Sequence, residues 1–151
     1  MAQSILTSDA VKTIEIVEFK VGKKILGVTI DAVQEIIHST PVTSIPLAHP
    51  FIKGMAAVRG DVLNVLNLEE VIDETSHFNA KQEKMIVLQC LNYHFVIHVD
   101  EVTEIKIVNK EDFRISQASY MQYEIETDQG LLYILDLEEI LNVIQSDRGI
   151  R

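Results

Sequence analysis

The stretch Phe51–Ile72, FIKGMAAVRGDVLNVLNLEEVI, decides how the rest of the chain is read. An apolar run from Ile52 to Val58 meets a tip of Arg59, Gly60 and Asp61, and a second apolar run, Val62 to Leu66, leaves it. Gly and Asp suit the backbone angles of a tight turn, and the flanking runs have strand length, so the segment reads as a β-hairpin. Asn67 with Glu70 three residues on resembles a capping box and starts a short helix. The tip offers one guanidinium, Arg59, in a chain of 13 basic and 23 acidic residues. A charged residue on a hairpin tip is most often simply solvated, so Arg59 needs support from elsewhere before it counts as functional.

Before this hairpin, residues 1–13 show no firm period and read as a tail. Ile14, Ile16, Val17 and Phe19 begin a strand, Val21-Gly22-Lys23-Lys24 is a turn, and Ile25 to Ile30 pairs back. Asp31 to Ile37 reads as one helical turn or an irregular crossover. Pro41, Pro46 and Pro50 exclude a long helix in the next stretch. Glu74 to Lys81 is polar without an apolar period and reads as a linker.

After the linker the chain repeats itself. Asp31-Ala-Val-Gln-Glu-Ile lies over Asp100-Glu-Val-Thr-Glu-Ile at an offset of 69 residues (100 minus 31). Val62-Leu-Asn-Val-Leu-Asn-Leu-Glu-Glu-Val lies over Leu131-Leu-Tyr-Ile-Leu-Asp-Leu-Glu-Glu-Ile at the same 69 (131 minus 62). Apolar coincidence is easy in such a chain, but ordered polar identities at one offset are not. They imply two copies of one β unit of about five short strands. Short strands at these intervals suit small barrels or sandwiches, which protect their edges. The expected architecture is all-β: two tandem, pseudo-repeated, SH3-like five-stranded barrel lobes in one domain, 14–151. The first lobe spans about 14–75 and the second about 82–136, with a C-terminal helix at about 137–145. That helix is capped by Asp136 with Glu139, and Leu137, Ile140, Leu141 and Ile144 form its apolar stripe.

Composition narrows the function. The 151 residues are 47% hydrophobic and 24% charged, the profile of a globular domain with a sizeable core. A net charge of −10 without a basic cluster argues against nucleic acid and against direct contact with an anionic membrane, and favours a basic protein partner. The single cysteine, Cys90, cannot close an internal disulfide and suits a reducing cytoplasm. No signal peptide or membrane span is evident.

Motifs for catalysis are absent. His94 and His98 have helical metal-ligand spacing, but the alternation of Tyr93, Phe95, Ile97 and Val99 makes the stretch a strand. Four residues then span roughly 13 Å, too far for one metal, and both imidazoles are expected in solvent. Gly54 and Gly60 lack the Lys-Ser/Thr of a phosphate loop. The Glu69-Glu70 and Glu138-Glu139 pairs sit at helix starts, where the macrodipole accounts for them. No cofactor or metal is expected.

In order and spacing, Leu26-Gly27-Val28-x-Ile30-x-x-Val33-Gln34-Glu35-Ile36, Ile45-Pro46, Phe51-Ile52-Lys53-Gly54, Arg59-Gly60 and Val65-x-Asn67-Leu68 resemble CheW-type coupling proteins of bacterial chemotaxis. The resemblance runs from about Ile14 to the C-terminal helix. It implies two SH3-like lobes, no catalytic activity, and a cytoplasmic adaptor at membrane-associated receptor arrays. The implied partners are chemoreceptor cytoplasmic tip helices and the regulatory domain of a CheA-type histidine kinase. Matched position by position, Val33, Glu35, Gly54, Arg59 and Gly60 fall at the receptor surface; the kinase-binding residues are not identified. The chain departs from the family at Asn64-Val65-Leu66-Asn67-Leu68, at Val96, and at Tyr120 to Glu124. The competing readings are a generic SH3-like peptide- or protein-binding adaptor and a small enzyme with scattered catalytic residues.

Overall fold

The register of the opening hairpin shows why its sequence folds as it does. Strands β4 (Ile52–Val58) and β5 (Asp61–Leu66) pair antiparallel with Val58 opposite Asp61, leaving a two-residue loop of Arg59 and Gly60. Both loop residues have left-handed backbone, φ 50° and 88°. That pattern is a type I′ turn, whose twist matches that of paired strands. Helix α1 (Leu68–Val71) follows at once, and the Asn67 side chain accepts a hydrogen bond from the Glu70 amide at 3.4 Å.

The structure is a computed structural model and describes residues 12–73 and 82–149, with side chains through residue 146. Strands β1 (Thr13–Val21), β2 (Lys24–Thr29) and β3 (Val33–His38) precede the hairpin, with a 3-10 turn at Ile30–Ala32. After it come β6 (Lys84–Cys90), β7 (Tyr93–Val99), β8 (Glu101–Asn109), a 3-10 turn at Lys110–Asp112 and β9 (Arg114–Ile115). The chain ends with β10 (Met121–Thr127), β11 (Gly130–Leu135) and α2 (Leu137–Gly149). The fold is therefore mostly β, in two sheets, with short helices that include a C-terminal one.

The sheets divide the chain differently from the contiguous lobes expected at about 14–75 and 82–136. One sheet has six strands in the order β8-β1-β2-β11-β10-β9, and the other five in the order β3-β6-β7-β5-β4. Each copy thus lends its first hairpin to the other copy's last strands. The exchange is reciprocal and keeps register. Ile134 pairs with Gly27 in one sheet and Val65 with Val96 in the other, each 69 residues from its twin (134 minus 65, 96 minus 27). Even the irregularity repeats: the shift between Glu18 and Phe19 in β1–β8 recurs between Val33 and Glu35 in β3–β6. The 3-10 turn at Ile30–Ala32 and the bend at Asp100 are where the chain crosses between sheets.

This exchange creates three layers of apolar packing. A central core between the sheets holds Phe19, Leu26, Leu66, Leu68, Ile86, Phe95, Leu135 and Ile140, among others. Behind it lie one core per sheet, around Ile16, Leu132 and Ile134 and around Val65, Met85 and Val96. Leu66 and its twin Leu135 are both buried in the central core. The twins Phe51 and Tyr120 meet edge to face with centroids 5.1 Å apart, marking the pseudo-twofold axis.

Three local expectations change. Val33 to Ile37 is strand, and only Ile30–Ala32 is helical, because β6 supplies a pairing edge for it. Helix α2 runs to Gly149 rather than about 145, with its amide at Glu139 donating to Asp136 Oδ1 at 3.0 Å. His94 is exposed but His98 is buried. The face of β7 that bears both histidines also bears Val96, which points into a sheet core, so β7 is covered on both sides. The expected linker at 74–81 and most of the expected tail lie outside the described residues.

Candidate functional site

Strands β3 and β4 stand at opposite ends of the five-stranded order, so anything joining them curls the sheet toward closure. One contact does this, and a bridge first pins the segment after β3 onto β4. The Thr43 amide donates to the Met55 carbonyl and the Met55 amide to the Thr43 carbonyl, both at 2.8 Å. Beyond that bridge, Arg59 at the β4–β5 tip reaches Glu35 on β3. Arg59 Nε donates to both carboxylate oxygens at 2.9 Å, and Nη2 lies 2.8 Å from Oε1. The guanidinium side chain is 74% exposed and the carboxylate side chain 28%.

The five residues matched to the receptor surface fall into distinct positions. Glu35 and Arg59 meet with Gly60 beside them in the turn, and Ile36 on β3 and Val62 on β5 are exposed apolar side chains. Gly60 has no atom near a would-be Cβ; its left-handed φ is what favours glycine there. Val33 is half-buried and packs on the central core. Gly54 is buried, and a Cβ there would collide with the Thr43 carbonyl oxygen and lie 2.8 Å from Val42 Cγ1. Gly54 therefore permits the Thr43–Met55 bridge and offers no side chain to a partner.

Arg59 carries a conformational cost. A non-glycine residue in left-handed backbone is disfavoured by roughly 1–2 kcal/mol, and an ion pair this exposed contributes on the order of 0–1 kcal/mol. Stability alone does not account for arginine at this turn position, which makes the tip a candidate site.

The six-stranded sheet covers its edges with other chemistry, all of it between neighbouring strands. Short β9 pairs with β10, and Arg114 Nη2 lies 3.2 Å from Glu124 Oε2 and 3.6 Å from Glu126 Oε1. Glu18 is buried in β1, accepting from Thr103 Oγ1 at 2.5 Å and from Lys106 Nζ at 3.1 Å. Burial pulls the Lys106 ammonium down, but the hydrogen bond and charge of Glu18, with Glu104 adding to them, leave it above the ordinary lysine value.

Sequence reasoning missed the polar cluster of His98, Ser39, Lys53 and Gln82, because its members come from four separate segments. Cys90 is half-buried. Burial, then the charges of Glu138 and Asp136, push its thiol up to about 11. Among the described residues no group of three His, Cys, Asp or Glu is placed to hold a metal ion, and no helix is long and apolar enough to cross a membrane.

Fold and site together define a two-lobed β protein whose distinctive surface is a left-handed turn presenting an ion pair. The chain belongs to the CheW-like domain family, which matches residues 15–145. It is 22% identical over 148 residues to the chemotaxis protein CheW of Thermotoga maritima, covering 95% of this chain and 97% of that one. It is 28% identical over 120 residues to the chemotaxis protein CheW of Rhizobium meliloti, covering 80% and 77%. The crystal structure of the scaffolding protein TtCheW from Thermoanaerobacter tengcongensis superposes with a TM-score of 0.75 at 22% identity, covering 82% of this chain and 84% of that one.

Proposed function

We propose that this chain is a non-enzymatic chemotaxis adaptor that couples chemoreceptor cytoplasmic tip helices to the regulatory domain of a CheA-type histidine kinase. The observation that carries the reading is the Arg59–Glu35 pair on a left-handed turn. Family membership and the chemotaxis and scaffolding names of its relatives support it over a generic SH3-like adaptor. An incoming receptor helix would lay apolar side chains against Val33, Ile36 and Val62. Arg59, held by Glu35, would orient it through a carboxylate or exposed carbonyls, while Gly60 keeps the rim low. The kinase domain would take the other lobe, where β8 and β9 expose Ile105, Ile107 and Ile115. The protein would work in the cytoplasm and reach the membrane only through its receptors.

The test is Arg59→Ala, with binding to a receptor tip fragment and to a kinase regulatory domain measured side by side. The expected result is weakened receptor binding and near-normal kinase binding in a folded protein. Normal receptor coupling in a folded mutant would reduce Arg59 to a solvated turn residue.

A further inference from the structure

The His98 cluster lies near the other ends of the strands that carry Glu35 and lead to Arg59. His98 is 9% exposed. Its Nε2 lies 2.8 Å from the Gln82 backbone carbonyl oxygen and 2.7 Å from Ser39 Oγ, and its Nδ1 lies 3.3 Å from Lys53 Nζ. A carbonyl only accepts, so Nε2 carries the proton; an ammonium only donates, so Nδ1 presents a lone pair. Those two contacts require a neutral ring in a single tautomer. Lys53 also donates to Gln82 Oε1 at 2.7 Å, and the Gln82 side-chain nitrogen donates to the Glu69 carboxylate. Among the described residues, the charged groups facing the ring are Lys53 from β4 and Glu69 from α1. Ser39 at the end of β3 and Gln82 before β6 are neutral.

We propose that His98 is an acid-release latch: neutral, it ties the end of β3, strand β4 and the segment before β6 together, and protonated, it lets β4 go. Protonation places an Nδ1–H donor against the Lys53 ammonium, so a hydrogen bond becomes a contact between like charges. The latch is one-sided. The twins of His98, Lys53 and Glu69 are Thr29, Gln122 and Glu138 (98, 122 and 138 minus 69 give 29, 53 and 69), and these line an open cavity of about 420 Å³. The ring is thus present only in the sheet that bears the Arg59–Glu35 pair. The inference concerns the fold's response to acid and stands independently of which partner meets that pair.

Burial first, and then the Lys53 charge, lower the His98 pKa from its ordinary 6.5, with the Gln82 carbonyl and Glu69 opposing. A group whose native pKa is depressed contributes stability that is full above its unfolded value and is lost as pH falls through the native one. The latch therefore holds at neutral pH and opens in acid.

Amide hydrogen exchange of the whole chain, corrected for intrinsic rates, tests this together with imidazole nitrogen shifts against pH. The neutral ring should be protonated at Nε2. Protection at Thr43 and Met55, the bridge between the freed segments, should fall by about tenfold or more as His98 titrates, as for a local opening. Lys53→Met keeps the aliphatic stem and removes the charge; it should raise the His98 midpoint and shrink the fall to about twofold. His98→Gln should show no such step. A neutral ring protonated at Nδ1, protection constant through the titration, or an unchanged step in Lys53→Met would each overturn the latch.

Discussion

In the five-stranded sheet Arg59 at the hairpin tip meets Glu35 across the barrel seam; at the twin positions of the six-stranded sheet stand Asp128 and Glu104, two like charges. The same register surrounds both. Ala56 pairs with Leu63 as Ile125 pairs with Leu132, and both crossing strands are parallel. The backbone plan is thus indifferent to the charge at its tip. In one copy a left-handed arginine crosses the seam to β3, and in the other the short added strand β9 and its Arg114 pair with the neighbouring β10. The first arrangement alone sets its guanidinium on a left-handed hairpin tip, where stability does not account for it, and that points to recognition rather than to folding.

The cores differ in a compensating way. A Cβ on Gly27 would sit 2.6 Å from Ile16 Cγ2 and 3.2 Å from Ile134 Cδ1. Its twin Val96 packs with Met85 and Val65, which stand where the other copy has Ile16 and Ile134 (85 minus 16 and 134 minus 65 are 69).

The largest expected effect tests the shared plan. Leu66→Ala and Leu135→Ala remove twin side chains from the central core, and each should cost about 2–5 kcal/mol by lost transfer energy plus a cavity. Denaturant titration of both should give similar losses. A change at either within about half a kcal/mol is what a surface position gives, and it would break the equivalence of the halves.

Gly54→Ala comes next. Its methyl group meets the Thr43 backbone rather than a movable side chain, so about 1–3 kcal/mol of overpacking is expected. Exchange protection at Met55 should fall with it. A neutral effect would mean that the segment around Thr43 moves aside freely and that the five-stranded sheet does not depend on this closure.

Arg59→Ala should change stability by less than about 1 kcal/mol, because the pair is exposed and screened. Arg59→Lys should behave like alanine in receptor binding, since an ammonium cannot make the forked contact to Glu35. A lysine variant with full binding would show that charge alone matters and that the difference between the seams is trivial.

The smallest effect is kinetic. With its thiol raised from 9.0 to about 11, Cys90 should be alkylated tens of times more slowly than free cysteine near pH 8. Exchanging Glu138 for Gln should speed the reaction modestly, because burial is the larger cause. Reaction at the free-cysteine rate would show that the cavity beside Cys90 is fully wet, unlike the twin site that the His98 cluster fills.

Much of this protein follows from local sequence. Arg59-Gly60 between two apolar runs specifies a two-residue hairpin, Asn67 and Asp136 cap helices through their own side chains, and polar identities at one offset define the copies. These are short-range interactions or direct comparisons of sequence, and nothing distant is needed to form them. The Glu35 and Arg59 positions were legible through motif spacing, but not their contact, since β3 and the tip meet only when the sheet curls. Alternation along β7 says which side chains share a face, yet not that both faces are covered, so His98 read as solvated. Identity at one offset likewise says that two units exist, and not that each lends a hairpin to the other. Strand pairing is satisfied equally by a hairpin of either copy; the choice falls to the apolar surface buried between the sheets, which exists only in the assembled fold.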